Sequence, residues 1–280
     1  MNPGRAGATS STTEQCLVDD MTADVLPADT PIPAPRRDWG AALRALRRLL
    51  RDKEDTRQVF EIMRALSGDA VGQCYRRLYT TPKGGRIAYE RVELARRLMD
   101  DAWLNTFPEG TVGAAYRHFI RSQQISAEGL AEVSREGAGD IDTPHPIAWM
   151  ARRTRDVHDV WHVLSGYGRD GLGEACLVAF SYPQTRSLGW ALIALGAISR
   201  TRGGRYPYAK AIWQGYQRGK KARWLLGEDY EALFAEPLDQ ARRRLGITPP
   251  TVYDAIPPEA RDIVASPTPA GVPVPAGAQA

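Results

Sequence analysis

The chain has 280 residues, 43% hydrophobic and 25% charged, an ordinary globular composition that excludes fibrous and low-complexity classes. Its net charge is +4, but Arg5 stands against Glu14, Asp19, Asp20, Asp24 and Asp29 within residues 1–35, a net of −4, so the remainder carries about +8 and favours anionic partners. Cys16, Cys74 and Cys176 show no paired spacing, which excludes a disulfide framework and a CxxC zinc site and fits a reducing compartment.

Residues 1–36, rich in Ser, Thr, Ala, Pro and Asp, are expected to be a disordered acidic tail, and residues 266–280 (SPTPAGVPVPAGAQA) a disordered Pro/Ala tail. The expected folded unit is 37–265. Its first helix carries Trp39, Leu43, Leu46 and Leu50 on one stripe, and a second short helix with Val59, Ile62, Met63 and Leu66 closes at Gly68. Thr80–Gly85 reads as a turn. Residues 88–104 return to helix with Leu94, Leu98 and Trp103 inside, and Phe107-Pro108-Glu109-Gly110 breaks it. Helices over 112–123 and 126–136 lead to a loop at Asp140–Pro146, then a helix over Ile147–Leu164. Further helices cover Glu174–Phe180, Leu188–Ile198, Tyr208–Leu226 and Asp229–Leu245, the last ending at Gly246. The predicted class is all-α, one domain of eight to ten helices. No apolar h-region opens the chain, and Leu188–Ile198 is too short for a hydrocarbon core of about 30 Å, so the expectation is a cytoplasmic protein.

The chemistry concentrates at Arg155-Asp156-Val157-His158-Asp159-Val160-Trp161-His162, followed after eleven residues by Glu174. His158 and His162, at i and i+4, leave one helix face within reach of one ion, and Asp159 reaches it from the flank. Gly166, Gly168, Gly171 and Gly173 let the chain reverse and return Glu174 to the histidines. Two nitrogen and two carboxylate donors suit one divalent ion, Zn²⁺, Fe²⁺, Co²⁺ or Mn²⁺. His118 and His145 lack sequence partners and read as structural or exposed. The spacing also resembles that of zincins, but the middle acid is aspartate and no strand-rich subdomain precedes it to hold a peptide.

The segment HDVWHVLSGYGRDGLGE resembles the HDxxH-x11-E signature of the Coq-four family of ubiquinone-biosynthesis proteins. The likeness extends to Leu78–Pro82 with Gly85-Arg86, to Phe107–Gly113 with Ala115-Tyr116, to Arg155-Asp156, and to the end from Tyr230-Glu231 to Arg242–Ile247, covering about residues 40–252. It implies a helical, metal-binding protein with His158, Asp159, His162 and Glu174 as ligands, peripheral on the inner face of a membrane. It also implies a reaction on a polyprenylated 4-hydroxybenzoate: loss of the carboxylate at ring carbon one, with hydroxylation there in an oxidative version. The alternative is a scaffold that holds prenylated intermediates and other quinone-biosynthesis proteins, with a structural metal. Arg155, Asp156, Tyr167 and Arg169 are near enough in sequence to orient ligands or a substrate carboxylate. Leu188, Trp190, Leu192, Ile193, Leu195 and Ile198 make a helix apolar nearly all round, either core or a path for a prenyl tail. Arg200, Arg202 and Arg205, then Trp213, Arg218, Lys220, Lys221, Arg223 and Trp224, suit an anionic membrane surface. No nucleic-acid fold signature accompanies them, so nucleic acid is set aside as a partner. A homodimer is allowed.

Overall fold

The computed structural model describes residues 35–52, 55, 57–122, 145–200 and 205–262. The two predicted tails, the predicted 126–136 helix, most of the Asp140–Pro146 loop and the side chains of Arg200, Arg202 and Arg205 lie outside the described residues.

The order is α1 (Trp39–Arg51), α2 (Arg57–Leu66), α3 (Ala70–Leu78), α4 (Gly84–Glu90), α5 (Leu94–Leu98), α6 (Asp101–Asn105), α7 (Val112–Ser122), α8 (Pro146–Asp156), α9 (His158–Ser165), α10 (Gly171–Thr185), α11 (Leu188–Arg200), α12 (Arg205–Lys221), α13 (Tyr230–Phe234), α14 (Leu238–Leu245) and α15 (Thr251–Asp254). Eleven of these have seven or more residues. Among the described residues the extended structure is an isolated bridge between Thr111 and Pro237, so the all-α expectation holds. All these elements belong to one compact unit.

Several predicted helices are interrupted. The 88–104 stretch splits because Arg91 turns left-handed (φ 43°) after α4 and Asp100 caps α6, its side chain accepting from the Trp103 N–H at 3.0 Å. The predicted Ile147–Leu164 helix breaks for one residue at Val157. The predicted Asp229–Leu245 helix breaks before Pro237, which has no N–H to continue the ladder.

The closest helix pair is α10 against α12. Gly215 and Gly219, one turn apart, permit it: a Cβ on Gly215 would lie 2.4 Å from the Cys176 carbonyl oxygen, and one on Gly219 would lie 2.1 Å from that of Phe180. Around this pair packs the main core, with Trp161, Phe180, Phe234, Leu104 and Met150 buried. Trp161 donates through Nε1 to the Tyr230 hydroxyl (2.8 Å), which donates onward to the Leu225 carbonyl (3.1 Å), so the polar edges of the buried rings are paired. Cys74 and Cys176 are buried free thiols, and burial pushes Cys74 up to about 11.

α1 packs with a different face from the one its large apolar residues mark. Ala42 and Ala45 are its buried residues, with Leu46 and Leu49 beside them against α2 and α11, while Trp39 and Leu43 are 49% and 42% exposed. Small alanines let α1 approach its neighbours closely, and a leucine row would hold it off. α11 is likewise only partly core: Ala194 and Gly196 are buried, whereas Leu195 is 64% exposed.

Candidate metal centre

α9 starts immediately after Val157, so its first two turns carry His158, Asp159 and His162. The i, i+4 spacing brings the imidazoles together at right angles, with centroids 5.0 Å apart. One donor atom from each of the three residues lies within 4.8 Å of the others. This group could hold a metal ion.

Glu174 stands in the first turn of α10, a helix that starts earlier than predicted, and several contacts fix its return. Gly166 ends α9 in the left-handed region (φ 79°), its N–H bonded to the His162 carbonyl at 2.8 Å. Asp170 caps α10 by accepting from the Gly173 N–H at 2.9 Å, and its other oxygen accepts a short hydrogen bond from the Tyr253 hydroxyl. That hydroxyl accepts in turn from the Gly168 N–H at 3.1 Å. Gly173 lies so close to Gly168 that a Cβ there would be 2.1 Å from the Gly168 carbonyl oxygen. The Glu174 carboxylate then spans both histidines, Oε2 3.4 Å from His158 Nε2 and Oε1 3.3 Å from His162 Nε2.

The protonation pattern follows from the partners. His162 Nδ1 lies 3.0 Å from the Tyr167 carbonyl, which can only accept, so Nδ1 carries a proton and Nε2 is the nitrogen turned towards the cluster. That buried nitrogen has no well-aligned hydrogen bond among the described residues, although Glu174 Oε1 is near. A buried ring nitrogen facing carboxylates calls for a cation or a proton. The donor set and this orphaned nitrogen therefore fit a divalent ion. Burial works to raise the Glu174 carboxyl, but the two histidines beside it outweigh this and hold the group well below the usual carboxylate range. Burial lowers the His158 imidazole, and Glu174 more than offsets this, so His158 ends above its ordinary value.

Aromatic rings wall the cluster. Phe119 from α7 stacks on His162 (5.3 Å, 23°), and Trp190 from α11 lies parallel to His158 (5.8 Å, 5°). The Trp190 Nε1 is buried with no hydrogen-bond partner among the described residues. Tyr116, also on α7, is buried, and burial together with the Asp159 and Asp156 carboxylates pushes its phenol up. The sequence marks neither Phe119 nor Tyr116 as a site residue, and it marks Trp190 only as core or as part of a prenyl-tail path. They arrive from helices remote in sequence, and no local spacing links them to the histidines.

Of the four expected orienting residues, Arg169 does reach the cluster, its Nε 3.7 Å from Glu174 Oε1. Tyr167 contributes its backbone carbonyl to His162, while its buried ring packs edge-on against Tyr253 and under the Arg218 guanidinium. Arg155 and Asp156 pair with each other at 2.9 Å. Arg155 Nη1 and Asp156 Oδ2 are buried without a hydrogen-bond partner among the described residues. His118 pairs with Glu109 on the surface (2.9 Å), and His145 caps α8 by accepting from the Ile147 N–H (3.1 Å), so neither joins the cluster.

A helical fold in which His158, Asp159 and His162 converge, with Glu174 beside both histidines on the next helix, defines a candidate metalloprotein. The family model described as coenzyme Q (ubiquinone) biosynthesis protein Coq4 matches residues 39–251, and the chain belongs to that family. The rat ubiquinone biosynthesis protein COQ4 homolog, mitochondrial, is 29% identical over 174 residues, covering 60% of this chain and 62% of the relative. The zebrafish homolog is 29% identical over 182 residues (63% and 64%), and the human homolog 29% over 177 (61% and 63%). The chain thus spans a little over three-fifths of the length of these curated relatives. A solved structure of a protein from Nostoc punctiforme shares the fold with a TM-score of 0.53 at 19% identity, covering 76% of this chain and 99% of that one. Among the described residues no helix is long and apolar enough to cross a membrane.

Proposed function

We propose that this chain acts in ubiquinone synthesis by metal-dependent removal of the carboxylate at ring carbon one of a polyprenylated 4-hydroxybenzoate. The observation that carries the reading is the donor group His158, Asp159 and His162, with Glu174 beside both histidines, between two aromatic walls in a chain of the Coq4 family. His158, Asp159, His162 and Glu174 would hold one divalent ion. Bound there, it supplies a Lewis acid for a carboxylate or phenolate oxygen.

The chain's own residues account for the rest. Tyr167, through its carbonyl, keeps His162 in the tautomer that presents Nε2. Arg169, beside Glu174, offers a guanidinium to the substrate carboxylate. Phe119 and Trp190 cover one ring face of His162 and His158 and offer apolar surface to an aromatic ring. In the simple reaction the bond from ring carbon one to the carboxyl breaks, its electron pair stays on the ring, and a proton takes the vacated position. The oxidative version needs an external oxidant such as dioxygen. The prenyl chain would lie along apolar α11, whose Trp190 stacks on His158, and the exposed Leu195 and Trp213 would face a membrane.

The test is carbon dioxide release from a short-chain prenylated 4-hydroxybenzoate, with metal-loaded protein compared with chelated protein. Release that needs the metal supports the reading. No carbon dioxide and no ring product with any first-row divalent ion would leave the scaffold role in its place.

A further inference from the structure

On another face of the molecule, α3, the C-terminal end of α10 and the end of α12 enclose a groove of about 400 Å³. Its lining includes three cations, Arg77, Arg186 and Lys220, and three aromatics, Tyr182, Tyr216 and Trp224. Gln184, in its floor, lies ten residues beyond Glu174 on the same helix, or about 15 Å along the axis, so the groove is separate from the metal centre.

Several arginines of this fold pair with an acid, and the cations of this groove do not. Arg76, Arg86, Arg97, Arg117, Arg152 and Arg244 each meet a carboxylate. Arg77, Arg186 and Lys220 have none within 4 Å among the described residues. Arg77 and Arg186 are also close enough to repel: after burial, the Arg186 charge is the main influence that lowers the Arg77 guanidinium. Like charges lining one concavity without an acid give it a positive potential that favours an anion, although Arg77, Arg186 and Lys220 are themselves exposed to solvent. Arg186 moreover sits in the left-handed region (φ 55°) at the end of α10, where glycine or asparagine is the usual residue and a long side chain costs about 1 kcal/mol.

The walls are fixed in advance. Gln184 uses both ends of its amide, donating to the Gly219 carbonyl (2.7 Å) and accepting from the Leu225 N–H (2.8 Å). Trp224 donates through Nε1 to the Gln184 carbonyl (2.8 Å) and carries the Arg77 guanidinium 4.6 Å above its ring. Tyr182 and Tyr216 stack at 6.2 Å, and Tyr216 continues to the exposed Trp213 at 5.0 Å. The three cations and the row of aromatic rings thus line the same groove.

We propose that this groove is a phosphate-binding site, with Arg77, Arg186 and Lys220 holding the phosphate oxygens and Tyr182, Tyr216 and Trp224 flanking its substituent. Arg77 and Arg186 supply forked donors matched to phosphate oxygens, and Lys220 supplies a point charge. The same chemistry serves a lipid headgroup or a soluble phosphate, and the test separates the two.

The full chain, the double variant Arg77→Gln/Arg186→Gln and an equal-charge control, Arg47→Gln/Arg96→Gln, are compared in two arms. One measures sedimentation with vesicles of phosphatidylcholine with or without phosphatidic acid; the other measures calorimetric titration with inorganic phosphate and pyrophosphate. Wild type and control should bind in at least one arm, and the groove variant should bind about tenfold or more weakly there, with an unchanged melting temperature. Dependence on the groove arginines in the vesicle arm assigns the phosphate to a lipid headgroup, and in the titration arm to a soluble ligand. Equal loss in both double variants means diffuse surface charge, and it overturns the proposal, as does groove-variant binding equal to wild type in both arms. The readout is binding remote from the metal cluster, so it stands or falls separately from the decarboxylation reading.

Discussion

Gly173→Ala is the most telling single substitution, because Gly173 precedes Glu174 and touches the backbone of the return loop. An added Cβ would sit 2.1 Å from the Gly168 carbonyl oxygen and 2.8 Å from its carbon. An ordinary contact between these atom types is about 1 Å longer, and neither atom is the free end of a side chain. The loop must therefore move as a unit, against the Tyr253 hydroxyl that bonds both Gly168 and Asp170. Overpacking of this kind costs about 1–3 kcal/mol, which for a folded unit of this size is a melting-temperature loss of roughly 2–12 °C. The same shift carries Glu174 away from His158 and His162, so metal affinity should fall at least about tenfold. Gly85→Ala is the control: an added Cβ there has nothing within 4 Å, and alanine favours a helix. Thermal melting and competitive chelator titration of both variants decide the matter. If Gly173→Ala melts and binds metal like wild type, the tight return loop is not what positions Glu174.

Arg153 is buried and donates to the Leu226 and Glu228 carbonyls, so Arg153→Met should cost about 2–4 kcal/mol in urea denaturation, against less than about 0.5 for exposed Arg96→Met. In the chelated protein the depressed Glu174 carboxyl stabilises fully above its ordinary value of 4.5, and the raised His158 imidazole stabilises fully below 6.5. Chelated protein should thus be most stable between those values and lose stability as pH rises through the His158 titration. Added metal, which needs neutral histidine, should stabilise more as pH rises, and melting curves with and without chelator across pH 4–9 check both trends. Phe119→Ala and Trp190→Ala should keep the metal but raise the KM for a prenylated 4-hydroxybenzoate several-fold, seen in steady-state assays alongside metal analysis.

The metal hairpin was readable in the sequence because its main instructions are local, although the Tyr253 hydroxyl that bonds its loop comes from α15. The i, i+4 histidines lie on one helix, Gly166 can adopt φ 79°, and Gly173 can approach Gly168. The aromatic walls were not readable, since Phe119 and Trp190 meet the histidines only after α7 and α11 have packed. The face of α1 misled for a related reason. Hydrophobic size points to Trp39 and Leu43, while the helix actually buries Ala42 and Ala45, whose small volume is an asset only against a particular neighbour. Arg77, Arg186 and Lys220 likewise come from three separate helical segments: the basic run around Lys220 and Trp224 was visible, but nothing local tied it to Arg77 and Arg186.

Metal content per chain tests the central claim most directly. Purified protein loaded with Zn²⁺, Fe²⁺, Co²⁺ or Mn²⁺ and desalted should retain one ion per chain with at least one of them. His162→Ala and Glu174→Gln, with circular dichroism still helical, should retain almost none. Equal metal in these variants and wild type, or no retained ion of any kind in wild type, would contradict a centre built from His158, Asp159, His162 and Glu174.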